Sequence, residues 1–118
     1  MQTEYFIRDS DNLIKLTLTE DGVPVSGAWS ALDITVEGVP YIHRTADGNG
    51  VTLNTGSGLL SISPGDLTTS EKAAFALLTT GRPYRVEIVV TTALNDDGAV
   101  FGAPGSEELR FLFYDNPL

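Results

Sequence analysis

The sequence predicts an all-β fold, an antiparallel β-sandwich interrupted by one short α-helix. Three observations support this prediction. Four runs of residues alternate between apolar and polar side chains, three Asp-Gly pairs lie between the runs, and one alanine-rich segment has helical spacing instead. Alternation with period two is typical of half-buried strands, and Asp-Gly is typical of tight turns between strands.

The four longest alternating runs supply the core. They span residues 13–18, 31–37, 84–91 and 108–114. Successive side chains of a strand point to opposite faces of the sheet, so each run has one apolar face. We expect Phe111 and Phe113 to face the core together with Val86 and Ile88. Two sheets of this kind bury their apolar faces against each other, which predicts a sandwich of about seven to nine strands.

Shorter strands and turns complete the pattern. Candidate strands lie at residues 5–7, 41–44, 51–53, 59–62 and 99–101. Each of the pairs Asp21-Gly22, Asp47-Gly48 and Asp97-Gly98 predicts a tight hairpin turn, because glycine adopts positive φ without penalty and aspartate tolerates it.

The helix is predicted over residues 69–79. Thr68 precedes Glu71 by three residues, the spacing of a capping box. Ala74, Leu77 and Leu78 have the spacing of one buried stripe. Gly81 is suited to a left-handed C-terminal cap, and the proline that follows prevents continuation. The helix would carry the chain from one strand to the next and close an open end of the sandwich.

Composition limits the class of protein. The 118 residues fit one domain, residues 1–118, and 42% of them are apolar. The net charge of −9 disfavours nucleic acid and anionic membranes as partners. No cysteine is present, which excludes disulfides and thiol chemistry. The first eight residues do not resemble a secretory signal, so we expect synthesis in the cytoplasm.

No catalytic, cofactor-binding or metal-binding residue is predicted. His43 is the only histidine and lies on a strand, where a surface role is expected. Three acidic clusters, residues 9–12, 47–50 and 95–98, have calcium-binding residue types, but turn formation explains them and none has the full calcium-loop pattern. Adjacent Glu107 and Glu108 would point to opposite faces of a strand, so they cannot flank one glycosidic bond.

Aromatic and apolar residues near the N-terminus predict an interaction surface instead. Tyr5, Phe6 and Ile7 are three consecutive large side chains close to a chain end, and Trp29 stands at the entry to a strand. We expect residues 1–8 to form an arm that contacts a neighbouring subunit, with Trp29 as a further interface residue. The alternative is that Phe6 completes the core of its own chain.

Several short motifs resemble the Ig-like β-sandwich modules of tailed-bacteriophage virion proteins. Residues 16–27, "LTLTEDGVPVSG", are similar to the opening of the N-terminal domain of baseplate upper proteins. Residues 60–66 and 81–88 are similar to a later stretch of the same domain. The resemblance implies an Ig-like fold and a structural role in the virion, either in the baseplate or as a small head decoration protein.

These observations together predict a non-enzymatic virion protein that acts by self-association and docking. The expected partners are copies of itself, as a trimer or hexamer by analogy with the family, and other virion proteins. A ligand-binding module for carbohydrate or calcium is the alternative, and it would require exposed aromatic residues beside the acidic turns. Fold alone does not distinguish the two, because Ig-like sandwiches serve many functions.

Overall fold

The computed structural model describes residues 2–7, 13–20, 23–93, 98–102 and 108–114. Their elements, in chain order, are β1 (Gln2–Ile7), β2 (Ile14–Thr17), β3 (Thr19–Glu20), β4 (Val23–Pro24), β5 (Trp29–Val36), β6 (Val39–Arg44), β7 (Val51–Asn54), β8 (Leu59–Ile62), a 3₁₀ turn (Pro64–Asp66), α1 (Thr69–Ala76), β9 (Pro83–Thr92), β10 (Ala99–Phe101) and β11 (Leu109–Tyr114). The described strands exceed the predicted seven to nine because β3 and β4 are two-residue strands.

Two main sheets form the sandwich. The large sheet has the order β1-β11-β9-β5-β6, with β10 also paired to β9, and the small sheet has the order β2-β8-β7. All pairings are antiparallel except that of β1 with β11. The orders β11-β9-β5-β6 and β2-β8-β7 correspond to the G-F-C-C′ and B-E-D strands of a variable-type immunoglobulin sandwich. The predicted Ig-like antiparallel sandwich with one short helix is therefore confirmed.

The core lies between the two sheets, and the alternation along each strand predicts its contents. Strand β9 alternates strictly between buried and half-buried side chains from Tyr84 to Thr92. Phe111, Phe113, Val86 and Ile88 are each at most 1% exposed, as expected from the sequence. The small sheet adds Ile14, Leu16, Leu60 and Ile62 from the opposite side, all at most 3% exposed.

The N-terminal segment is part of the large sheet of its own chain over residues 2–7, and its predicted contact with a neighbouring subunit stays a prediction. These residues form β1, whose register pairs Tyr5 with Leu112 and Phe6 with Phe113. Phe6 is 1% exposed and packs on Phe111 and Phe113, with ring centroids 5.8 and 5.1 Å away. The alternative for Phe6 is the correct one, because a buried aromatic ring contributes more in its own core than at a free end.

The helix begins where the sequence predicts and ends three residues early, at Ala76. The backbone N–H of Leu77 donates to the carbonyl oxygen of Ala74 over 3.2 Å, which closes the helix with a 3₁₀ turn. The N–H of Thr79 donates to the hydroxyl of Tyr84 instead of to the helix. Leu77 is 88% exposed, so it is not part of the predicted buried stripe.

Gly81 does not cap the helix as predicted. Its φ is +76°, the left-handed conformation expected of a cap, but its N–H donates to the carbonyl oxygen of Phe113 over 3.0 Å. The bond attaches the segment after α1 to β11. Gly81 therefore guides the chain into β9.

The connection after β6 also differs from the prediction. Asp47-Gly48 lies between β6 and β7, which belong to different sheets, so it joins the two layers instead of making a hairpin. The other two Asp-Gly pairs separate β3 from β4 and β9 from β10, which are antiparallel neighbours. Asp21, Gly22 and Asp97 themselves lie outside the described residues.

Candidate functional site

The outer face of the large sheet consists of the side chains that alternate with the buried ones along each strand. Arg85, Glu87, Val89 and Thr91 are these side chains on β9. On β5 the register places Thr35 opposite Glu87 and Asp33 opposite Val89. Within the described residues, helix α1 contacts β6, where Glu71 pairs with Arg44 of the buried row. Non-obligate protein interfaces have a mixed polar and apolar composition of this kind, as does the rest of a protein surface.

One side of this face is aromatic. The rings of Tyr5 on β1 and Tyr114 on β11 stack with centroids 6.0 Å apart and an interplanar angle of 28°. Tyr5 is 63% exposed and Tyr114 is 37% exposed. Half-buried Ile7 and Leu112 lie beside them in the paired strands. We call these four residues the tyrosine edge. Tyrosine contributes large contact area at small entropic cost, which suits it to an interface.

Two arginines and one glutamate form a compact charged group beside the tyrosine edge. Arg85 Nη1 lies 3.3 Å from one carboxylate oxygen of Glu108, and Arg110 Nη2 lies 2.9 Å from the other. Arg85 also donates from Nε and Nη2 to the carbonyl oxygen of Gly102, both over 3.2 Å. Arg85 is thus held by both Glu108 and the backbone, and the group of two arginines and one glutamate has a net charge of 2 − 1 = +1.

A shallow groove of about 310 Å³ lies along β5 and β6 on the opposite side of the face. Its polar groups are Asp33, Thr35, Tyr41 and His43. The Nδ1 atom of His43 lies 2.5 Å from a carboxylate oxygen of Asp33, and both side chains are about half exposed. The strand position predicted for His43 is correct. Its single acidic neighbour forms a solvent-exposed pair, which contributes little to stability.

The edges next to this groove are closed by identifiable contacts. On β6, Pro40 has no N–H to offer, and the carbonyl oxygen of His43 accepts a bond from Arg44 Nη1 over 2.8 Å. The register of β6 against β5 also shifts at Ile34 and Thr35. A proline, an irregular register and an occupied carbonyl all disfavour pairing with another strand.

The edge of β7 is closed by the segment that precedes it. The backbone of Val51 exchanges two hydrogen bonds with Gly48, of 2.9 and 3.1 Å. The N–H of Leu53 donates to the carboxylate of Asp47 over 2.9 Å. The acidic cluster at residues 47–50 therefore has a structural role in covering a strand edge.

A buried ion pair fixes α1 against the same side. The guanidinium of Arg44 donates from Nη1 and Nη2 to the two carboxylate oxygens of Glu71, each over 2.5 Å. Arg44 also donates to the carbonyl oxygens of Gly48 and Asn49. Glu71 and Thr68 form the predicted capping box, with backbone-to-side-chain bonds of 3.1 and 3.2 Å. One arginine thus connects β6, the β6–β7 segment and the helix.

Hydrogen bonding determines the pKa of Glu71. Burial raises the pKa of its carboxyl group, but the bonds from Arg44 and from the backbone of Thr68 outweigh burial and lower the pKa below its usual value of 4.5. Glu71 is therefore ionised at neutral pH. A buried, paired carboxylate of this kind is a structural contact, and it is satisfied within the chain.

The predicted interface residues have different environments. Tyr5 is the most exposed of them, Ile7 is half-buried, and Phe6 belongs to the core. Trp29 is half-buried and packs against the core, at the start of β5. Tyr5 and Ile7 lie together in the tyrosine edge. Trp29 pairs with Thr92 at the far end of β9, so the structure does not bring it to the same place.

The structure adds little to the question of a metal site. Among the residues it describes, no group of three or more histidine, aspartate or glutamate side chains is close enough to hold an ion. The acidic clusters at residues 9–12 and 95–97 lie outside those residues, as does Glu107. Glu108 is engaged by Arg85 and Arg110, so the adjacent pair is not a matched set of carboxylates.

Sequence reasoning missed two contacts. The Arg44–Glu71 pair joins residues 27 positions apart, and only the capping box marked Glu71. The hydroxyl of Tyr84 accepts the N–H of Thr79 over 2.8 Å at the start of β9. This is the tyrosine corner of immunoglobulin folds, and a tyrosine opening the strand after the helix was its signal.

Comparisons with known proteins place the chain in no family. No family model and no curated protein matches it. Among solved structures, it is similar to the extracellular domains of the voltage-gated sodium channel beta4 subunit, described as parallel homodimers that explain a role in cell–cell adhesion. The identity is 15% over 98% of this chain and 92% of that chain, with a TM-score of 0.41. No helix in the described part of this chain is long and apolar enough to cross a membrane.

Proposed function

We propose that this chain is a non-enzymatic structural protein of a bacteriophage virion, which acts by self-association and by docking to other virion proteins. The virion assignment is supported by the motifs at residues 16–27, 60–66 and 81–88, which resemble baseplate upper proteins. Self-association is supported by the surface chemistry of the large sheet. The protein would be made in the host cytoplasm and reside in the virion, in the baseplate or on the head.

The tyrosine edge is the observation that carries the proposal. Tyr5 and Tyr114 are exposed and stacked, and Ile7 and Leu112 lie beside them. Exposed large apolar side chains that form one continuous patch mark interaction sites more often than scattered ones do. Tyrosine is also enriched among the residues that dominate binding energy.

The charge of the outer face supports a contact between like copies. The face carries Arg85 and Arg110 against Asp33, Glu87 and Glu108, which gives 2 − 3 = −1 with His43 neutral. The whole chain carries −9, so most of the excess negative charge lies elsewhere. Two copies can therefore approach through this face with little of the repulsion that the rest of the surface produces.

Self-association is tested by analytical ultracentrifugation of the full chain from micromolar to millimolar concentration. We expect a concentration-dependent rise in mass, and stronger association at higher salt because salt screens the net negative charge. A trimer or hexamer would agree with the analogy to virion proteins. A monomer at every concentration would contradict self-association.

The virion role is tested on particles. Virions of the phage that encodes the chain are purified on a density gradient and analysed by mass spectrometry. Peptides of this chain are expected in stoichiometric amounts, in the head fraction or in the tail fraction. Their absence from intact particles would contradict the virion role and leave self-association standing.

A further inference from the structure

The two lateral sides of the sandwich differ in how their edge strands are protected against pairing with another strand. On one side, β6 has Pro40, a register shift and an occupied His43 carbonyl. On the same side, β7 points four backbone groups of Val51 and Leu53 outward, and three of them are bonded to residues 47–48. This side is closed to strand addition.

The other side consists of β1 and β2. Among the described strands, β1 has one neighbour in its sheet, β11, and β2 has one neighbour, β8. The N–H of Leu18 donates to the carbonyl oxygen of Gly58 over 2.7 Å. This bond shows which residues of β2 direct their backbone groups toward β8. Antiparallel pairing alternates, so the backbones of Lys15 and Thr17 point away from β8. Exposed Lys15 makes β2 a poor partner, because an edge lysine disfavours strand addition.

Within the described part of the chain, strand β1 has six residues, contains no proline and pairs with β11 without the register shift found on β6. The side chains of Thr3, Tyr5 and Ile7 lie on the outer face of the sheet, and the ring of Tyr5 stacks on that of Tyr114. Tyr5, the most exposed aromatic residue among the described ones, therefore lies on an edge strand that has no other described strand on its outer side. An edge of this kind can accept another strand through main-chain hydrogen bonds.

We propose that β1 of a second copy of this chain adds to β1 in antiparallel orientation, about a two-fold axis at Tyr5, so that the two large sheets become one continuous sheet. This deepens the proposed function by naming the contact through which copies associate. A two-fold contact is self-complementary, since each copy offers the same strand.

The charges along β1 favour this register. With the axis at Tyr5, Glu4 stands opposite Phe6 of the second copy, and Thr3 stands opposite Ile7. An axis at Glu4 would place two carboxylates directly opposite each other, which is destabilising. A slip of one residue would bring the outward row of one strand onto the inward row of the other. The Tyr5 register also brings both Tyr5–Tyr114 stacks together at the axis.

Disulfide trapping tests the register directly, because the chain has no cysteine of its own. Thr3→Cys and Ile7→Cys variants are mixed in equal amounts and oxidised. Directly opposed residues of an antiparallel pair have Cα atoms about 4.5–5.5 Å apart, within the range a disulfide spans. We expect cross-linked dimers from the mixture and few from either variant alone. Val39→Cys, on the closed β6 edge, is the control and should stay uncross-linked.

A second measurement, of dimer affinity, tests the contribution of Tyr5 itself. Tyr5→Lys places a charge at the axis, and Val39→Lys places the same charge at a residue of similar exposure, 52% against 63%, on the closed edge. We expect Tyr5→Lys to weaken the dimer at least about tenfold by sedimentation, as one lost interface anchor does. Val39→Lys should associate as the parent chain does. Circular dichroism shows that both variants fold.

The outcomes separate this inference from the function on which it rests. A monomeric parent chain overturns both. An associating chain that forms a cyclic trimer, that cross-links through Val39→Cys, or that is unaffected by Tyr5→Lys overturns the β1 contact alone. Cross-linking of Thr3→Cys with itself, without Ile7→Cys, overturns the register.

Discussion

The two lateral sides of the sandwich are held by different chemistry. On the β1 side, Phe6, Phe111 and Phe113 pack with ring centroids 5.1 to 6.1 Å apart. On the β6 side, Arg44 and Glu71 form a buried ion pair, and Asp47 bonds the backbone of β7. Apolar packing and backbone pairing with β11 together position β1, and the pairing uses only the side of β1 that faces β11. Polar contacts on the other side occupy the backbone groups that another strand would need.

This difference has a physical reason. Buried aromatic rings gain stability from area and dispersion, which need no backbone partner. Buried backbone groups must be hydrogen-bonded, so where the chain crosses between sheets after β6 it needs donors and acceptors from nearby. Arg44 supplies the donors, and Asp47 supplies an acceptor. The free energy of unfolding should therefore fall when side-chain volume is removed on the β1 side, and when a charge is removed on the β6 side.

The largest expected effect is on the aromatic side. Phe113→Ala removes a ring that is 0% exposed and packs on both Phe6 and Phe111. We expect the free energy of unfolding to fall by about 3–5 kcal/mol, as for other buried aromatic truncations. Urea denaturation measures it. Tyr114→Ala, one residue along and 37% exposed, is the matched control and should lose about 1 kcal/mol or less. Equal losses would show that the rings do not form the core.

Breaking the ion pair should cost nearly as much. Arg44→Met leaves the carboxylate of Glu71 buried without its partner, and such changes typically cost about 3–5 kcal/mol. The double variant Arg44→Met with Glu71→Leu removes both charges, so we expect it to recover much of the loss. Denaturation of the parent, both single variants and the double variant gives the coupling energy. Additive losses would contradict a coupled buried pair.

Acid should weaken the β6 side selectively. The pKa of Glu71 is lower in the folded chain than its usual 4.5, so the folded state binds this proton less readily than the unfolded state does. Its contribution is fully present above the unfolded pKa and is lost as the pH falls through the folded pKa. We expect the parent chain to lose more stability than Glu71→Gln between pH 5 and pH 2, measured by thermal melting. Parallel curves would contradict the role of Glu71.

The smallest effect concerns the closed edge of β7. Asp47→Ala removes the acceptor for the N–H of Leu53, and we expect a loss of about 1 kcal/mol in the free energy of unfolding. Asp47→Asn keeps an acceptor oxygen and is the matched control, with a smaller loss. If the contact also closes the edge to other strands, the alanine variant should aggregate sooner than the asparagine variant on heating, measured by light scattering. Identical behaviour would show that Asp47 does not cover the edge.

Most of the fold was predictable because one local rule repeats along the chain. Alternation at Ile14 and Leu16, at Tyr84 and Val86, and at Phe111 and Phe113 identified the core faces of three strands. The capping box identified the start of the helix at Thr69. These features depend on neighbours two to four residues away, so the sequence contains them explicitly.

The candidate site was predictable only in part. Tyr5 and Ile7 were predicted to be interface residues, which stays a prediction, and both lie in the tyrosine edge. Phe6 was assigned to the same surface and proved to be core, since alternation in β1 sends it to the other face. Tyr114 and Leu112 were not recognised as their neighbours. The parallel pairing of β1 with the last strand joins the two ends of the chain, and no local signal specifies it.

The sequence by itself determined the strands, their core faces, the helix start and the excess of acidic residues, because each follows from composition or short-range periodicity. Only the tertiary structure decided which edges are open, where the helix ends and which charges are buried. The Arg44–Glu71 pair, the bond from Thr79 to Tyr84 and the cover of β7 by Asp47 all join segments that meet only after the sheets pack. Their energies come from desolvation and geometry, which depend on the folded environment of each group.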